Sequence, residues 1–345
     1  MFRHLIHSVE QAHWRRESRR RLQPFGWGTE YLGTDGTGIE PRAFLAHYAA
    51  QAVSESDGFF ATEPAPWYQR DGDRLLFPSA IQTAFPENNT VYARMFESRA
   101  RESGRPESGK RERAVIVLPQ WNAEPESHVN ICRTLARFGV TAVRLSLPYH
   151  DERKPPGAER ADFMVCPNIG LTLEASRQAV LDARRLVPWL REQGYRRLGI
   201  LGTSLGSAIA FITLAHEPAL RAGVFLHVST YFADVVRTGM TTAHVWESLR
   251  AHVTPEELRH YWSPISPFPY VRRIAGAGKR CLVVSGRYDR AFLPEFSAEL
   301  WAEFDRWQIP CERLLLPCGH YTLGYFPFSW LAGLRFVPFL HRALS

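Results

Sequence analysis

The chain has 345 residues, of which 45% are hydrophobic, 12% aromatic and 22% charged. That balance belongs to a globular protein with a sizeable core, and it excludes a disordered, collagen-like or low-complexity chain. Its 42 Lys and Arg against 35 Asp and Glu leave a net charge of +7. The excess is concentrated in two stretches, 15–21 and 99–113, so no nucleic-acid partner is expected; both runs read as solvated segments interrupted by acids.

Five cysteines, Cys132, Cys166, Cys281, Cys311 and Cys318, form no C-x-x-C pair. Their odd number and spacing argue against a disulfide framework or a zinc ribbon and for a reducing compartment. No apolar run reaches signal-peptide length near Met1, and none approaches the ~18 residues of a membrane span. A soluble, cytoplasmic protein without stable membrane insertion is expected.

In chain order, 2–21 is expected to form a basic amphipathic helix that ends before Pro24-Phe25-Gly26-Trp27-Gly28. A second helix is expected over 41–54, with Pro41 at its first position and Asp57-Gly58 beyond its end. Residues 64–89 show no clear periodicity, so 1–90 reads as a helical and irregular extension packed on the rest. Residues 91–97 alternate as a strand does, and a polar turn follows through Lys110.

From Ala114 the pattern is regular. The run Ala114-Val115-Ile116-Val117-Leu118 is continuously apolar, as a parallel strand covered on both faces must be. An amphipathic segment over 127–138, a strand over 142–147, a helix over 172–192 and a strand over 197–201 come next. A helix after Ser204, strands over 223–228 and 281–285, a helix over 294–307, a strand over 312–316 and a last helix over 330–343 complete the chain. Such alternation specifies an α/β fold, a mainly parallel central sheet with helices on both faces, and it makes 91–345 one domain. Between 229 and 279 the alternation stops at helical pieces and the run Ser263-Pro264-Ile265-Ser266-Pro267, an insertion expected to act as a lid or pocket wall.

The segment Gly202-Thr203-Ser204-Leu205-Gly206 places G-x-S-x-G between an apolar strand and a helix. In that context the motif has a mechanical meaning: glycines two residues either side of Ser204 allow a sharp turn that holds the hydroxyl above the sheet. The helix start beneath it favours developing negative charge, and the Leu205 N–H is a donor for an oxyanion. A serine hydrolase of this kind needs an acid and then a histidine, each after a later strand. Asp289 follows the apolar strand in Ser285-Gly286-Arg287-Tyr288-Asp289, and His320 follows the next in Cys318-Gly319-His320. The separations are 85 residues (289 − 204) and 31 residues (320 − 289). In this arrangement His320 takes the Ser204 proton while Asp289 orients the imidazole.

On these three motifs, in this order and on these strand ends, the chain from about Val91 onward resembles the α/β-hydrolase superfamily of serine hydrolases. The tail and the run Trp262-Ser263-Pro264-Ile265-Ser266 are similar to dienelactone hydrolase-like and acetyl xylan esterase-like esterases. The resemblance implies a second oxyanion donor from the loop after the early strand, here Leu118-Pro119-Gln120-Trp121-Asn122. That loop lacks the usual glycine; the Trp121 N–H is the first choice for the donor and Gln120 the second, with Trp121 as a plain core aromatic the competing reading.

Asp234 is the alternative acid, because some members of the superfamily place it after the preceding strand. The loop carrying Tyr149, His150 and Arg153 opens on the same face, so substrate contacts are expected from Tyr149, His150 and Tyr231, with Trp246 and Trp262 as further pocket aromatics. His4 and His7 lack a third ligand, and neither metal nor cofactor is expected. The leading reading is an enzyme cleaving a small-molecule carboxylic ester through an acyl-enzyme. The alternatives are acyl transfer or cleavage of an amide or carbon–carbon bond by the same triad, and a non-catalytic hydrolase-fold binding module. Neither the substrate nor the oligomeric state is legible at this level.

Overall fold

The computed structural model describes residues 2–16, 20–34, 38, 40–98 and 112–345. The turn expected over 99–110 and part of the first basic run therefore lie outside the described residues. Nine strands form one sheet in the order β1-β2-β3-β5-β4-β6-β7-β8-β9. The strands are β1 (Gln69–Asp71), β2 (Arg74–Pro78), β3 (Thr90–Phe96), β4 (Arg113–Leu118), β5 (Thr141–Leu145), β6 (Arg197–Thr203), β7 (Leu220–Leu226), β8 (Arg280–Gly286) and β9 (Cys311–Leu316). From β5 across to β9 every pairing is parallel, and the other three pairings are antiparallel. This is the mainly parallel sheet that the alternation of strands and helices specifies.

The central strands are apolar throughout because both faces are covered. Along β4, Ala114, Ile116 and Leu118 enter a core shared with α5 (Ile169–Glu192) and α6 (Leu205–His216). Val115 and Val117 point the other way, into a core shared with α4 (Val129–Arg137) and α12 (Phe328–Ala343). All twelve residues of α6 are buried, so the helix beneath the G-x-S-x-G turn is enclosed within the core. Local chemistry sets the helix starts. The Glu40 carboxylate accepts from the N–H groups of Arg42 and Ala43 before α2 (Pro41–Ser54), and the Asn168 side chain accepts from Leu171 N–H before α5.

The front of the chain departs from the irregular reading of 64–89. β1 and β2 form a hairpin through Gly72, whose φ is 57°, and β2 pairs antiparallel with β3, so residues within 1–90 extend the central sheet. Only Leu75 and Phe77 turn inward from β2, too few apolar positions to mark a period of two. The hairpin is pinned to α5 by the Asp182 carboxylate, which accepts from Ser79 Oγ (2.8 Å) and Ala80 N–H (3.0 Å). The same carboxylate pairs with Arg153 at 2.9 Å, both side chains fully buried.

The expected first helix is seen as α1 over Phe2–Arg16, with 17–19 outside the described residues, and a short α3 (Ser56–Phe59) follows α2. The insertion holds α7 (Phe232–Thr238), α8 (Ala243–Leu249), α9 (Pro255–Tyr261) and the short α10 (Val271–Ile274), and α11 (Pro294–Arg306) follows β8. Among the described residues no helix is long and apolar enough to cross a membrane.

Candidate active site

Parallel strands carry their carboxyl ends to one edge of the sheet, where successive loops converge. Ser204 follows β6, His227 follows β7, Asp289 follows β8 and His320 follows β9. Ser204 has φ 56° and ψ −121°, a backbone state that costs energy for any L-residue with a side chain. It is held by hydrogen bonds: Ser204 N–H donates to Leu226 O (2.8 Å), and Ser207 Oγ bridges Gly202 O (2.7 Å) and Leu226 O (2.8 Å).

The two glycines are required by close approach. A Cβ on Gly202 would lie 2.1 Å from Gly206 O, and one on Gly206 would lie 2.4 Å from the carbonyls of Leu118 and Pro119. The second contact also brings the loop of Gln120 and Trp121 against the first turn of α6, where the leading N–H groups of a helix, Leu205 included, have no partner within it.

The Ser204 hydroxyl donates toward His320 Nε2 at 3.1 Å. His320 Nδ1 donates to Asp289 Oδ2 at 3.0 Å. That donation leaves Nε2 as the unprotonated nitrogen, the state a base facing a hydroxyl needs. Asp289 is buried, and its Oδ1 accepts from the N–H groups of Ala291 (2.7 Å) and Phe292 (2.8 Å). The Phe292 ring stacks on His320 with centroids 5.4 Å apart and planes 9° from parallel. Three residues expected to act together are thus in mutual reach. Asp234 is not with them, because its carboxylate pairs with Arg259 at 2.5 Å.

Two further histidines adjoin this constellation, and neither was legible in the sequence, where each is a lone His without a motif. His227 Nδ1 donates to the same Asp289 Oδ2 at 2.7 Å, and its Nε2 is buried without a partner among the described residues. Burial alone would raise the Asp289 carboxyl; the two imidazoles, by charge and by hydrogen bond, outweigh it and hold the group well below the usual carboxylate range. His128 Nε2 lies 2.8 Å from the Thr203 hydroxyl, next to the serine, and burial lowers this imidazole to about 3, so it is neutral.

His150, expected to touch substrate, holds a loop instead. Its buried Nε2 accepts from Asn122 N–H (2.9 Å), so Nδ1 is the nitrogen that donates to Pro148 O (2.8 Å). Burial lowers it to about 4 against the opposing hydrogen bond to Pro148. The loop that presents Gln120 and Trp121 is therefore tied down by a neutral imidazole.

The other expected substrate contacts lie elsewhere. Tyr149 is 1% exposed and packs with Phe85 and Phe163 inside the core. Arg153 is fully buried on Asp182, and Trp262 is a core residue whose indole N–H donates to Ile169 O (3.1 Å). Tyr231 lines a separate cleft of about 650 Å³ with Asp234, Arg259 and Phe268, to which none of Ser204, Asp289 and His320 contributes. Trp121 is half-buried: its indole N–H donates to Ala161 O (2.9 Å), and its ring lies parallel to His244 in the insertion at 5.9 Å. It therefore joins the early loop to the insertion while packing against the edge of the core.

His227, Asp289 and His320 offer ligand atoms within 4.8 Å of one another, and His4 and His7 belong to no such group among the described residues. Both Nδ1 atoms address one carboxylate oxygen, which is the geometry of two N–H donors on a shared acceptor.

The sequence over 106–271, a little under half of the chain, matches the family model described as alpha/beta hydrolase domain containing 18. No curated protein matches significantly. Among solved structures, acetyl xylan esterase 1 from Thermoanaerobacterium sp. JW/SL YS485 superposes with a TM-score of 0.58 at 15% identity, over 90% of this chain and 96% of that one. The acylaminoacyl peptidase of Pyrococcus horikoshii gives 0.56 at 12% identity over 82% of this chain and 50% of that one. The ferulic-acid-bound Est1E of Butyrivibrio proteoclasticus gives 0.53 at 15% identity over 74% and 95%. Identities this low carry the fold and leave the substrate open. By sheet order, strand-end architecture and these likenesses, the chain has the α/β-hydrolase fold, and its segment 106–271 is similar to that alpha/beta hydrolase family.

Proposed function

We propose that this protein is a serine-dependent hydrolase that cleaves a small carboxylic ester, with Ser204 as nucleophile, His320 as general base and acid, and Asp289 as the orienting acid. The observation that carries the reading is the continuous chain of contacts from Ser204 Oγ to His320 Nε2 (3.1 Å) and from His320 Nδ1 to Asp289 Oδ2 (3.0 Å). In this mechanism Ser204 Oγ attacks the ester carbonyl carbon while His320 takes the hydroxyl proton. The carbonyl oxygen becomes an oxyanion, which the Leu205 N–H and an N–H of the Gln120–Trp121 loop stabilise. His320 returns the proton to the departing alcohol, leaving an acyl-serine. Water then attacks the acyl carbon, giving up its proton to His320, and the acid is released with the serine restored.

The full-length match to an esterase structure (96% of that chain) against half-length matches to peptidases (50% of that chain) favours an ester over an amide. The test is labelling by a fluorophosphonate, followed by peptide mapping and an ester panel graded by acyl and alcohol size. An adduct on Ser204, lost in Ser204→Ala and slowed by about 10³-fold or more in His320→Ala, is the expected result. A folded wild type with no adduct, or ester turnover that survives Ser204→Ala, sinks the reading. Product analysis with added alcohols or thiols separates hydrolysis from acyl transfer, and a matched amide separates it from peptidase chemistry.

A further inference from the structure

We infer that Glu10, on the N-terminal helix, is a positioning residue for His320, and that α1 thereby completes the catalytic apparatus. The inference rests on the proposed roles of Ser204, Asp289 and His320. Glu10 has no solvent exposure. Its Oε2 accepts from Tyr321 N–H (3.1 Å) and its Oε1 from Thr322 N–H (2.8 Å), the two peptides that follow the histidine. On the other side of the histidine, Gly319 lies so close that a Cβ there would meet Glu10 Cδ at 2.5 Å. The carboxylate thus sits in the hollow of the 319–322 turn, which is further closed by Gly319 N–H donating to Thr322 Oγ1 (2.7 Å).

A buried carboxylate is costly unless charge-assisted hydrogen bonds offset its lost hydration, and backbone N–H groups aimed at it provide them. Placing a charge there is a poor way to pack a helix and an effective way to fix a turn. The rest of α1 addresses the same loops. The His13 ring stacks on Tyr321 (5.5 Å) and Tyr325 (5.3 Å). Gln11 Oε1 accepts from Arg290 Nη1 (3.3 Å), and the His7 ring meets Tyr288 edge-on, so the neighbours of Asp289 on either side are held as well. Trp14 Nε1 donates to Met240 O (2.7 Å) in the insertion. One helix therefore grips the acid loop, the histidine loop and the insertion.

The experiment compares wild type, Glu10→Ala, Glu10→Gln and the exposed-site control Ser8→Ala in the full chain. It reads the fluorophosphonate labelling rate of Ser204, kcat and KM on a p-nitrophenyl ester, and folding by circular dichroism. A misplaced catalytic group costs rate rather than affinity, so Glu10→Ala is expected to lower kcat and labelling about tenfold or more with KM within about twofold. Glu10→Gln, which keeps one acceptor oxygen for two N–H groups, is expected to fall between, and Ser8→Ala to match wild type. A folded Glu10→Ala with wild-type kcat overturns the inference, as does an equal loss in Glu10→Gln and Glu10→Ala. If Glu10→Ala does not fold, Glu10→Gln decides: lowered kcat with unchanged KM supports positioning, while wild-type kcat or failure to fold shows a purely structural residue. A wild type that is not labelled at Ser204 overturns the hydrolase reading and this inference with it, and is recognised because no variant is then needed to see it.

Discussion

The serine turn and the histidine turn lie side by side, yet they are built in opposite ways. The serine turn is marked in its own sequence: two glycines, each facing a carbonyl within 2.4 Å of where a Cβ would be, allow the backbone its strained angle. The histidine turn is made from outside, by a carboxylate more than 300 positions earlier in the chain. A strained turn built from local residues is visible as a motif, while a turn held by a distant side chain has no local mark. His320, the group that the proposed mechanism needs held still, is thus the one whose support the sequence hides.

That contrast can be sharpened by substitutions in descending order of cost. Asp182→Ala touches neither turn but leaves the buried Arg153 guanidinium without its charged partner, only the Asn88 and Ser146 carbonyls remaining, and such a loss costs about 3–5 kcal/mol. Denaturant unfolding should register it while the labelling rate of the folded fraction stays at the wild-type value. Gly206→Ala drives a Cβ into the Leu118 and Pro119 carbonyls, for about 1–3 kcal/mol of overpacking. Here labelling of Ser204 should also disappear, since the same displacement opens the turn; a labelled Gly206→Ala would break the argument that the elbow depends on its glycines.

Next comes His227→Ala, read in pH. With His227 gone, the Asp289 carboxylate is no longer shared, its hold on protonated His320 strengthens, and the acid limb of kcat/KM moves to higher pH by roughly one unit, about 1.4 kcal/mol. His227→Gln, which retains an N–H donor, should restore the limb. The stability sign is fixed by the same carboxyl, whose folded value is depressed. Its ionised form stabilises the fold above the unfolded value of about 3.9, and that contribution is lost as pH falls toward the folded value. Acid unfolding should therefore begin at higher pH in His227→Ala than in wild type. The smallest effect is expected at Arg74→Ala, whose pair with Glu152 is about half exposed on both sides and contributes about 0.5 kcal/mol or less. A larger shift in its melting temperature would mean that the hairpin end of the sheet is more tightly coupled than its exposure implies.

Legibility followed the same division. The strands β4 to β9 and the helices between them were readable because a doubly covered parallel sheet demands continuous apolar runs and amphipathic helices. The hairpin of β1 and β2 was not, since three exposed residues and two inward side chains make no pattern. Ser204, Asp289 and His320 each sit in a strand-end context that names them, and the structure brings those side chains within reach of one another. Tyr149 and His150 share that context, but the positive φ at Tyr149 (63°) and the pull of the Asn122 N–H turn both side chains inward. A strand end locates a loop, and only packing decides which of its side chains face the site.

The amino-acid order by itself therefore determined the parallel part of the sheet, the strained serine turn and the strand-end positions of Ser204, Asp289 and His320, because these depend on side-chain periodicity and on backbone freedom within a few residues. Tertiary structure alone decided that a second imidazole shares Asp289, that a neutral His150 anchors the early loop and that Glu10 fills the hollow beneath His320. Each of these is a hydrogen bond between groups far apart in the chain, and hydrogen bonds of that kind form wherever folding brings a buried donor to an acceptor, with no period or motif to announce them.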